Sequence, residues 1–376
     1  MTQRPQTTPL PKSISETPAP VNLKVLAKYL SLSPATISLV MNNAPGASAI
    51  AAATRLRVLE AAKLLNYRPN PIARSLRTRH TSTVGVIVPE FSEGYFTMLM
   101  NGIEEHLLQS GYLHFVVSHQ GKPDLIDEYP RLLAERSVDG FLLVNTSLNQ
   151  AVSAPVVSIS GHKTIAGNTN IMLDHDRAAL LALKHLYDLG HRRIAFMKGQ
   201  PQVSDSDARW QGILAMAQRV GLTIYPELCV YLQANAWSPE LGYPITRDLL
   251  ARTRDFTAIF CFNDIAAIGA IRAITDCGLR CPDDISVIGF DDIASAAYHV
   301  PRLTTVRQPL RSMGEMAVQT LLKRLQSPNE PYPETILFEP ELMVRESTSA
   351  ARPLAPTALA TSKPRTRKPS VIKPTR

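Results

Sequence analysis

Cysteines are the side chains in this sequence that could form disulfides, bind zinc or act as nucleophiles. There are four of them, at Cys229, Cys261, Cys277 and Cys281. No two of them show the CxxC spacing that zinc ribbons and dithiol redox sites use. In a cytoplasmic chain, isolated cysteines are typical of free thiols. We therefore expect neither a disulfide nor a zinc site.

Histidines, together with serines and acidic residues, could supply nucleophilic or acid–base catalysis. The nine histidines are scattered, and we expect His80, His119 and His185 on the surface. The sequence contains no recognisable Ser/His/Asp set, no glycine-rich phosphate loop and no metal-ligand spacing. It therefore argues against an enzyme and predicts no cofactor and no metal.

Charge is distributed unevenly along the chain, whose net charge is +8. Residues 1–83 contain eleven Lys or Arg against two acidic residues, and residues 349–376 contain seven against none. The residues between these ends are net acidic. A basic end on an acidic body indicates that one module meets a polyanion and the other does not. For the C-terminal tail we favour a merely solubilising role.

Length and hydropathy set the class of protein. The 376 residues exceed one ordinary core and suggest two or three domains. No apolar run approaches the length of a membrane span. The N-terminus carries Pro and Thr where a signal peptide needs an apolar segment. We expect a cytoplasmic protein with no membrane partner.

The basic N-terminal part has the periodicity of short helices. Apolar residues recur at helical spacing from Leu23 to Leu30, and Ser33 followed by Pro34 is a favoured start for a second helix. A third helix is predicted from Thr54 to Asn66, with Leu56 and Leu59 among its apolar residues. Two short helices joined by a tight turn form a helix-turn-helix unit.

From residue 84 onward, short apolar strands alternate with helices. The first strand is Val84–Val88, and two such series follow one another over about 265 residues. Alternation of this kind predicts parallel, doubly wound sheets. The fold class is therefore multi-domain, with an all-α helix-turn-helix followed by a two-lobed α/β domain. Ligands of such sheets bind outside the carboxyl ends of the strands, here between the lobes.

The sequence motifs identify a protein family more specifically than the hydrophobic periodicity does. The chain resembles the lactose/galactose repressor (LacI/GalR) family over residues 22–348, and the segments that carry the resemblance are NLKVLA (22–27), LSPATIS (32–38), VMNN (40–43), LNYRPN (65–70), ARSLR (73–77) and TVGVIVP (83–89). The resemblance implies a periplasmic-binding-protein-like sensing domain. The domains it implies are a disordered arm 1–20, a helix-turn-helix domain 21–69, a hinge 70–82, an effector and dimerisation domain 83–348, and a disordered basic tail 349–376.

The resemblance also implies how DNA would be contacted. The second helix should lie in the major groove, with Pro34, Ala35 and Leu39 on base edges. These side chains are apolar, so contact with thymine methyl groups would replace most hydrogen-bond readout. The polar positions expected to contact DNA, chiefly at phosphates, are Asn22, Thr36, Ser38 and Asn42.

Two departures from the family pattern lie close to this helix. Ser31 replaces a common glycine in the turn, which implies modest strain if that backbone is left-handed. The connection 44–53 is about three residues longer than in relatives.

The hinge of the family forms a helix when it docks in the minor groove. Leu76 matches the leucine that wedges between central base pairs, and Arg74 matches a groove- or phosphate-contacting residue. Because two hinges must pair, the resemblance implies a homodimer and a palindromic double-stranded DNA operator.

In the larger domain, the resemblance marks positions that face the cleft between the lobes. The expected ligand-binding residues are Tyr95, Phe96, Asp174, Arg209, Trp237, Asn263 and Asp291. A carboxylate, an arginine, an amide and an aromatic plate suit a small carbohydrate effector, although nucleobases could use the same set.

Some positions keep a second interpretation. Trp237 is either the stacking plate or a core residue, and Asp205 is a further candidate contact. We expect Asp264 to cap a helix and Asp292 to cap a turn on the surface. The leucines of the last helix, at Leu321, Leu322 and Leu325, serve the core or the dimer face.

The expected function is a sequence-specific DNA-binding transcription regulator, a repressor whose operator affinity is switched by the bound effector. The alternative is a solute-binding protein of the periplasmic type without a DNA role, because it shares the two-lobed body.

Overall fold

The computed structural model of the chain describes residues 21–42, 44–68, 75, 80–91, 94–161, 167–200, 204–232 and 241–353. The chain divides between Thr81 and Ser82 into an N-terminal and a C-terminal unit. The predicted arm 1–20, the hinge positions Arg74 and Leu76, and Trp237 lie outside the described residues. So does the tail from residue 354 onward.

The N-terminal unit begins with two helices, α1 (Leu23–Leu30) and α2 (Pro34–Met41). Asn22 caps α1 by accepting a hydrogen bond from the Val25 amide at 3.0 Å. Ser33 caps α2 in the same way, as the sequence predicts, with Pro34 in the first turn. Ser31 ends α1 with φ at 55°, so the strained left-handed backbone expected for this serine is present.

A third helix, α3 (Ala52–Leu64), completes this unit. Its buried residues are Val58, Ala61 and Ala62. The prediction that Leu56 and Leu59 belong to the apolar face was wrong, because both are at least half exposed. Only a narrow stripe of α3 contacts the small core formed with α1 and α2.

The long connection between α2 and α3 contains a short 3₁₀ helix, Pro45–Ala49. Its Gly46 lies against the side chain of Leu39, with room for a Cβ at 3.5 Å. The Ala44 amide also donates to the Leu39 carbonyl at 3.0 Å. The additional residues therefore form a turn on α2 rather than an open loop.

The C-terminal unit alternates strands and helices. Its helices are α4 (Tyr95–Gln109), α5 (Pro123–Glu135), α6 (His175–Asp188), α7 (Ser204–Val220), α8 (Gly242–Arg252), α9 (Asp264–Asp276), α10 (Ala294–Tyr298) and α11 (Leu310–Gln326). A 3₁₀ turn, Pro226–Leu228, precedes one strand.

In the described part of the chain, twelve strands form two six-stranded sheets, which confirms the predicted two-lobed α/β fold. The strands are β1 (Thr83–Val88), β2 (Leu113–Ser118), β3 (Gly140–Val144), β4 (Val156–Ile159), β5 (Thr169–Leu173), β6 (Ile194–Lys198), β7 (Cys229–Tyr231), β8 (Ala258–Phe260), β9 (Ser286–Asp291), β10 (Thr304–Arg307), β11 (Thr335–Phe338) and β12 (Glu341–Met343).

The first sheet has the order β11-β5-β4-β3-β1-β2 and forms lobe 1. The second has the order β12-β10-β9-β8-β6-β7 and forms lobe 2. All pairs are parallel except β10 with β12. Because the strands are parallel, their carboxyl ends meet at one edge of each sheet.

The chain passes between the lobes three times. It leaves lobe 1 after β5, returns through α11 and β11, and enters lobe 2 again at β12. Leu310, Met313 and Leu321 of α11 are buried in the core of lobe 1. The leucines of this helix therefore divide as core residues, Leu321 and Leu322 fully and Leu325 partly.

Helix α11 packs closely on α4 through small residues. A Cβ on Gly102 of α4 would overlap the Arg311 carbonyl. In the reverse direction, a Cβ on Gly314 would lie 2.5 Å from the Leu99 carbonyl oxygen. Glycine at both positions lets the two backbones approach.

Lobe 2 is closed by the residues that follow β12. Ser347 accepts from the Thr304 amide at 2.8 Å and donates to the Val287 carbonyl at 2.6 Å. The Ala351 amide donates to the Leu189 carbonyl, and Arg352 forms an ion pair with Asp284. The folded domain therefore extends beyond the expected boundary at residue 348.

His119 is buried, which corrects its expected surface position. The Gly121 amide donates to its Nδ1, so Nε2 carries the proton toward the Thr146 hydroxyl at 3.1 Å. Burial also lowers the pKa of this imidazole. His119 is thus a neutral structural residue, while His80 is exposed as predicted.

Within the described ranges, no single helix is long and apolar enough to cross a membrane, and the α1–α2 pair, which reaches that length together, is bent by 109°. The four cysteines are free thiols. In the same part of the chain, no group of three His, Cys, Asp or Glu side chains could hold a metal ion.

Candidate functional site

The polar side chains of the C-terminal unit gather where the strands of lobe 2 end. Asp291 is the last residue of β9, and Asn263 lies three residues after the end of β8. Arg209 and Asp205 lie on the first turns of α7, the helix that follows β6. Parallel strands bring these positions to one edge, so the sequence-predicted residues do meet.

Arg209 is the central cation of this cluster and is 4% exposed. Its guanidinium lies between two aromatic rings, with Cζ 3.7 Å from the Phe290 centroid and 4.4 Å from that of Phe262. It donates to the Phe262 carbonyl and, at 3.3 Å, to Asp205 Oδ2. The rings and the carboxylate fix the plane of the guanidinium.

Asp205 bridges Arg209 to a histidine that the sequence analysis missed. Its other oxygen, Oδ1, lies 3.3 Å from Nε2 of His175. Both side chains are more than nine-tenths buried. His175 is the first residue of α6, directly after β5 and Asp174, so its position behind a strand end was the available signal.

Asp291 is the second buried carboxylate of the cluster. Its Oδ1 accepts from Gln308 Nε2 at 2.7 Å, and its backbone has φ at 115°. Burial raises the pKa of the Asp291 carboxyl to about 7, although Arg209 and Gln308 oppose the increase. Asp205, a nearby negative charge, acts in the same direction as burial.

Tyr95 is the contribution of lobe 1. Its hydroxyl lies 3.2 Å from the Ser160 Oγ, and the charges of Asp205, Asp291 and Arg209 all act on it. Burial raises the pKa of this phenol well above its usual value. The structure therefore brings Tyr95 to the same site as the lobe 2 residues.

Phe96, the neighbour of Tyr95, is a buried residue of the same hydrophobic cluster. It is buried in the hydrophobic core of lobe 1 beside Leu99 and Ile103. Its ring meets the Tyr95 ring edge-on, with centroids 5.0 Å apart. Phe96 therefore supports the Tyr95 ring, and its place among the ligand-facing residues stays a prediction.

Two of the predicted ligand residues cap helices. Asn263 Oδ1 accepts from the Ala266 amide at 2.9 Å, which leaves its Nδ2 as a donor. Asp174 Oδ1 accepts from the Arg177 amide at 2.8 Å. Both are partly exposed, and the contacts in the structure give each a capping role.

Asp264 is not the helix cap that we expected. It is fully buried, and it accepts from the Ile293 amide at 2.9 Å and from the Thr305 hydroxyl at 2.5 Å. Burial is the main cause that raises the pKa of this carboxyl well above its usual value. Asp264 ties α9 to the loop after β9 and to β10.

Asp292 is likewise not a surface cap. Its side chain is 7% exposed and forms ion pairs with Arg307 at 2.7 Å and with Arg345 at 2.6 Å. The backbone of Asp292 is left-handed, with φ at 58°. The carboxylates of the consecutive residues Asp291 and Asp292 therefore have different partners.

The second candidate site is the outer face of α2. Pro34 and Ala35 are exposed at its start, as the sequence predicts for base-reading positions. Leu39, one turn later, is half-buried beside Gly46. The apolar surface that α2 offers to DNA is therefore dominated by its first two residues.

The polar residues of α2 are engaged within the helix. The Thr36 hydroxyl lies 2.8 Å from the Ser33 Oγ. Asn42 Nδ2 donates to the Ser38 carbonyl at 2.8 Å and to its Oγ at 3.2 Å. Contacts of these groups to phosphate would share or replace those bonds.

Together, the fold and the sites define a class of protein: a helix-turn-helix unit joined to a two-lobed binding domain. Family models agree in both parts. Residues 22–70 match the bacterial regulatory proteins of the lacI family, and residues 183–348 match the periplasmic binding protein-like domain. The chain belongs to the LacI family of bacterial regulatory proteins.

Relatives match over nearly their full length. The HTH-type transcriptional repressor PurR of Haemophilus influenzae is 33% identical over 337 residues, which cover 87% of this chain and 98% of that protein. The lac repressor dimer bound to operator and the anti-inducer ONPF is 27% identical, with a TM-score of 0.78, covering 88% of this chain and 100% of that one. The regulator CelR in complex with cellobiose is 26% identical, with a TM-score of 0.64 and coverages of 87% and 99%.

Proposed function

We propose that this chain is a transcription repressor that binds a palindromic operator as a homodimer and responds to a small carbohydrate effector. The observation that carries the proposal is the pairing of two sites in one chain. One is a capped reading helix with exposed Pro34 and Ala35. The other is the buried cluster of Arg209, Asp205 and Asp291 at the edge of lobe 2.

The reading helix accounts for DNA binding. Pro34 and Ala35 would contact base edges, chiefly thymine methyl groups, while Asn22, Thr36, Ser38 and Asn42 contact the sugar–phosphate backbone. Arg74 and Leu76 of the hinge would enter the minor groove, where Leu76 wedges between base pairs. The basic charge of residues 1–83 supplies the electrostatic part of the affinity.

The lobe 2 cluster accounts for effector binding. Hydroxyl groups of a sugar would donate to Asp291 and Asp205 and accept from Arg209 and from Asn263 Nδ2. Tyr95 would close the site from lobe 1, and the charges of Asp205, Asp291 and Arg209 that act on its hydroxyl support this. Asp174 and Trp237 would complete it at the rim, and the CelR–cellobiose complex supports a carbohydrate ligand for this type of domain.

Exposed apolar groups on the C-terminal unit support a homodimer. Strand β2 lies at the edge of the lobe 1 sheet, and Leu113 and Phe115 on it are 70% and 47% exposed. In lobe 2, Tyr298 and Val300 are 86% and 87% exposed. Unpaired edge strands and large exposed apolar side chains are typical of surfaces that a partner covers.

The same proposal covers location and chemistry. A repressor acts where the chromosome is, so we place the protein in the cytoplasm. Its relatives are repressors rather than enzymes, and we propose no catalytic activity. A solute-binding role without DNA is not favoured, because residues 22–70 match the DNA-binding model of the family.

The test is selection of bound duplexes from a randomised DNA pool by the purified full chain at physiological salt. We expect enrichment of a palindrome with a flexible pyrimidine–purine step at its centre. The variant Ala35→Asp, which places a negative charge on the reading face, should enrich nothing. Ala350→Asp makes the same change on an exposed alanine of the other unit and should enrich the same palindrome. Unenriched DNA with the wild-type chain would contradict the proposal.

A further inference from the structure

Gln308 occupies the short connection that carries the chain from lobe 2 back to lobe 1. It follows Arg307, the last residue of β10, and precedes Leu310, the first residue of α11. Leu310 and Met313 are already part of the lobe 1 core. Only Pro309 separates Gln308 from that core, although Gln308 itself is 1% exposed and lies at the polar cluster.

Gln308 donates two separate hydrogen bonds to Asp291. Its side-chain Nε2 donates to Asp291 Oδ1 at 2.7 Å, and its backbone amide donates to the Asp291 carbonyl at 3.3 Å. The carboxylate that we assign to the effector is therefore attached directly to an interlobe crossover. A movement of that carboxylate changes the torsion angles that the crossover can adopt.

The oxygen of the Gln308 side-chain amide differs from its nitrogen in the part of the chain that the structure describes. Among the described residues, Gln308 Oε1 is buried and accepts no hydrogen bond. A buried polar atom in this state is costly, and such costs are retained where function requires the group. Gln308 Oε1, which lies on the side chain bonded to Asp291, can accept a hydrogen bond in another state of the cleft.

The lobes also touch at the start of α4. A Cβ on Gly94, at the start of α4 in lobe 1, would lie 2.5 Å from Ile293 Cγ2 in lobe 2. Helix α4 packs on α11. A change in the angle between the lobes should therefore alter the hydrogen bonding at the start of both helices. Backbone bonds of Met98 to Gly94 and of Met313 to Pro309 mark those starts.

We propose that Gln308 is the positioning residue that couples the ligand-facing carboxylate of Asp291 to the angle between the lobes. The bond from its side chain holds the crossover in the arrangement that the structure shows. A ligand that competes for Asp291 or donates to Gln308 Oε1 changes this bond and thereby the lobe angle. This inference rests on the proposed effector site, but its test needs neither effector nor DNA.

Hydrogen–deuterium exchange of the full chain without ligand tests the coupling. In Gln308→Met the side chain keeps its length and loses the bond. We expect exchange about fivefold faster at residues 94–99 and 308–313, the factor that the loss of one typical hydrogen bond supplies. Strands β9 and β10 should keep wild-type protection. Gln308→Asn keeps the amide but is one methylene shorter, and it should show the same pattern.

Thr305→Val is the matched control. It removes a buried hydrogen bond from Thr305 of β10, the strand that precedes Gln308, to Asp264. This bond lies wholly within lobe 2. The control variant should leave residues 94–99 at the wild-type rate. The proposal is overturned if Thr305→Val accelerates the same segments, or if the change in both Gln308 variants stays within residues 286–308. Neither result would bear on operator binding, so the proposed function is judged separately.

Discussion

The guanidinium of Arg209 lies 3.7 Å from the centre of the Phe290 ring, on the strand that ends in Asp291. The cation therefore rests on the same strand as the carboxylate whose pKa it lowers. This arrangement keeps one positive charge among Asp205, Asp291 and the neighbouring buried groups. Removal of that charge would leave these buried carboxylates without the guanidinium that offsets their negative charge.

We expect Arg209→Met to lower the free energy of unfolding of the C-terminal unit by about 3 kcal/mol, since it removes the cation that offsets two buried carboxylates. Urea unfolding of the full chain, followed by far-UV circular dichroism, measures this. The control is Arg193→Met, which removes a more exposed guanidinium that also lies over an aromatic ring, Tyr225, and pairs with Asp255. We expect less than about 1 kcal/mol there. Equal losses would mean that Arg209 is an ordinary surface pair.

Stability should depend on pH through Asp291. Its pKa is about 7 in the folded state and 3.8 as the ordinary value, so between these values the folded chain holds a proton that the unfolded chain has lost. Stability is then lost as the pH rises through 7. Relative to Asp291→Asn, wild type should lose about 2.5 kcal/mol between pH 5 and pH 8.

Comparison of the two proteins cancels the titration of the other groups, including the histidines of lobe 2 with lowered pKa values. Urea unfolding at four pH values across this range gives the difference directly. Parallel curves for wild type and Asp291→Asn would show that Asp291 does not titrate there.

Two substitutions in the turn of the helix-turn-helix unit should change its stability in opposite directions. Ser31→Gly relieves a left-handed backbone and should stabilise residues 21–68 by about 1 kcal/mol. Ser33→Ala removes the hydroxyl that accepts from the Thr36 amide and should destabilise them by about 1 kcal/mol. Amide exchange of α1 and α2 in the full chain reports both. A destabilising Ser31→Gly would rule out strain at this position.

The wedge assigned to Leu76 can be tested on the selected operator. Leu76→Ala should weaken operator binding at least about tenfold, because the kink would lose its apolar support. Fluorescence anisotropy with a labelled duplex measures the affinity. Leu64→Ala shortens another leucine, which is 74% exposed on α3, and should bind like wild type. Equal binding by Leu76→Ala would remove the wedge from the proposed mechanism.

Much of this fold follows from local signals in the sequence. Ser33 with Pro34 marks the start of α2, and buried runs such as Val84–Val88 mark parallel strands. Strand ends also indicate the site, since Asn263 and Asp291 both follow such runs. These signals depend only on residues that are close together in the sequence, so the sequence alone predicts them.

The errors share a different cause. Leu56 and Leu59 fit the helical period of α3 as well as Val58 does, and only the positions of α1 and α2 decide which stripe is covered. Asp264 has the form of a helix cap, but its partners lie 29 and 41 residues away. Gln308 joins the site through Asp291, 17 residues earlier. Contacts at such separations leave no local periodicity.

The order of the crossovers has a consequence for synthesis of the chain. Lobe 1 lacks its edge strand until Thr335–Phe338 has been made, and lobe 2 lacks Ser347 until almost the whole described chain has been made. The helical N-terminal unit needs only its first 68 residues. Because domains generally fold from the N-terminus as they emerge from the ribosome, the DNA-reading helices form long before either half of the sensor is complete. Control by effector is therefore the last property that a newly made molecule acquires.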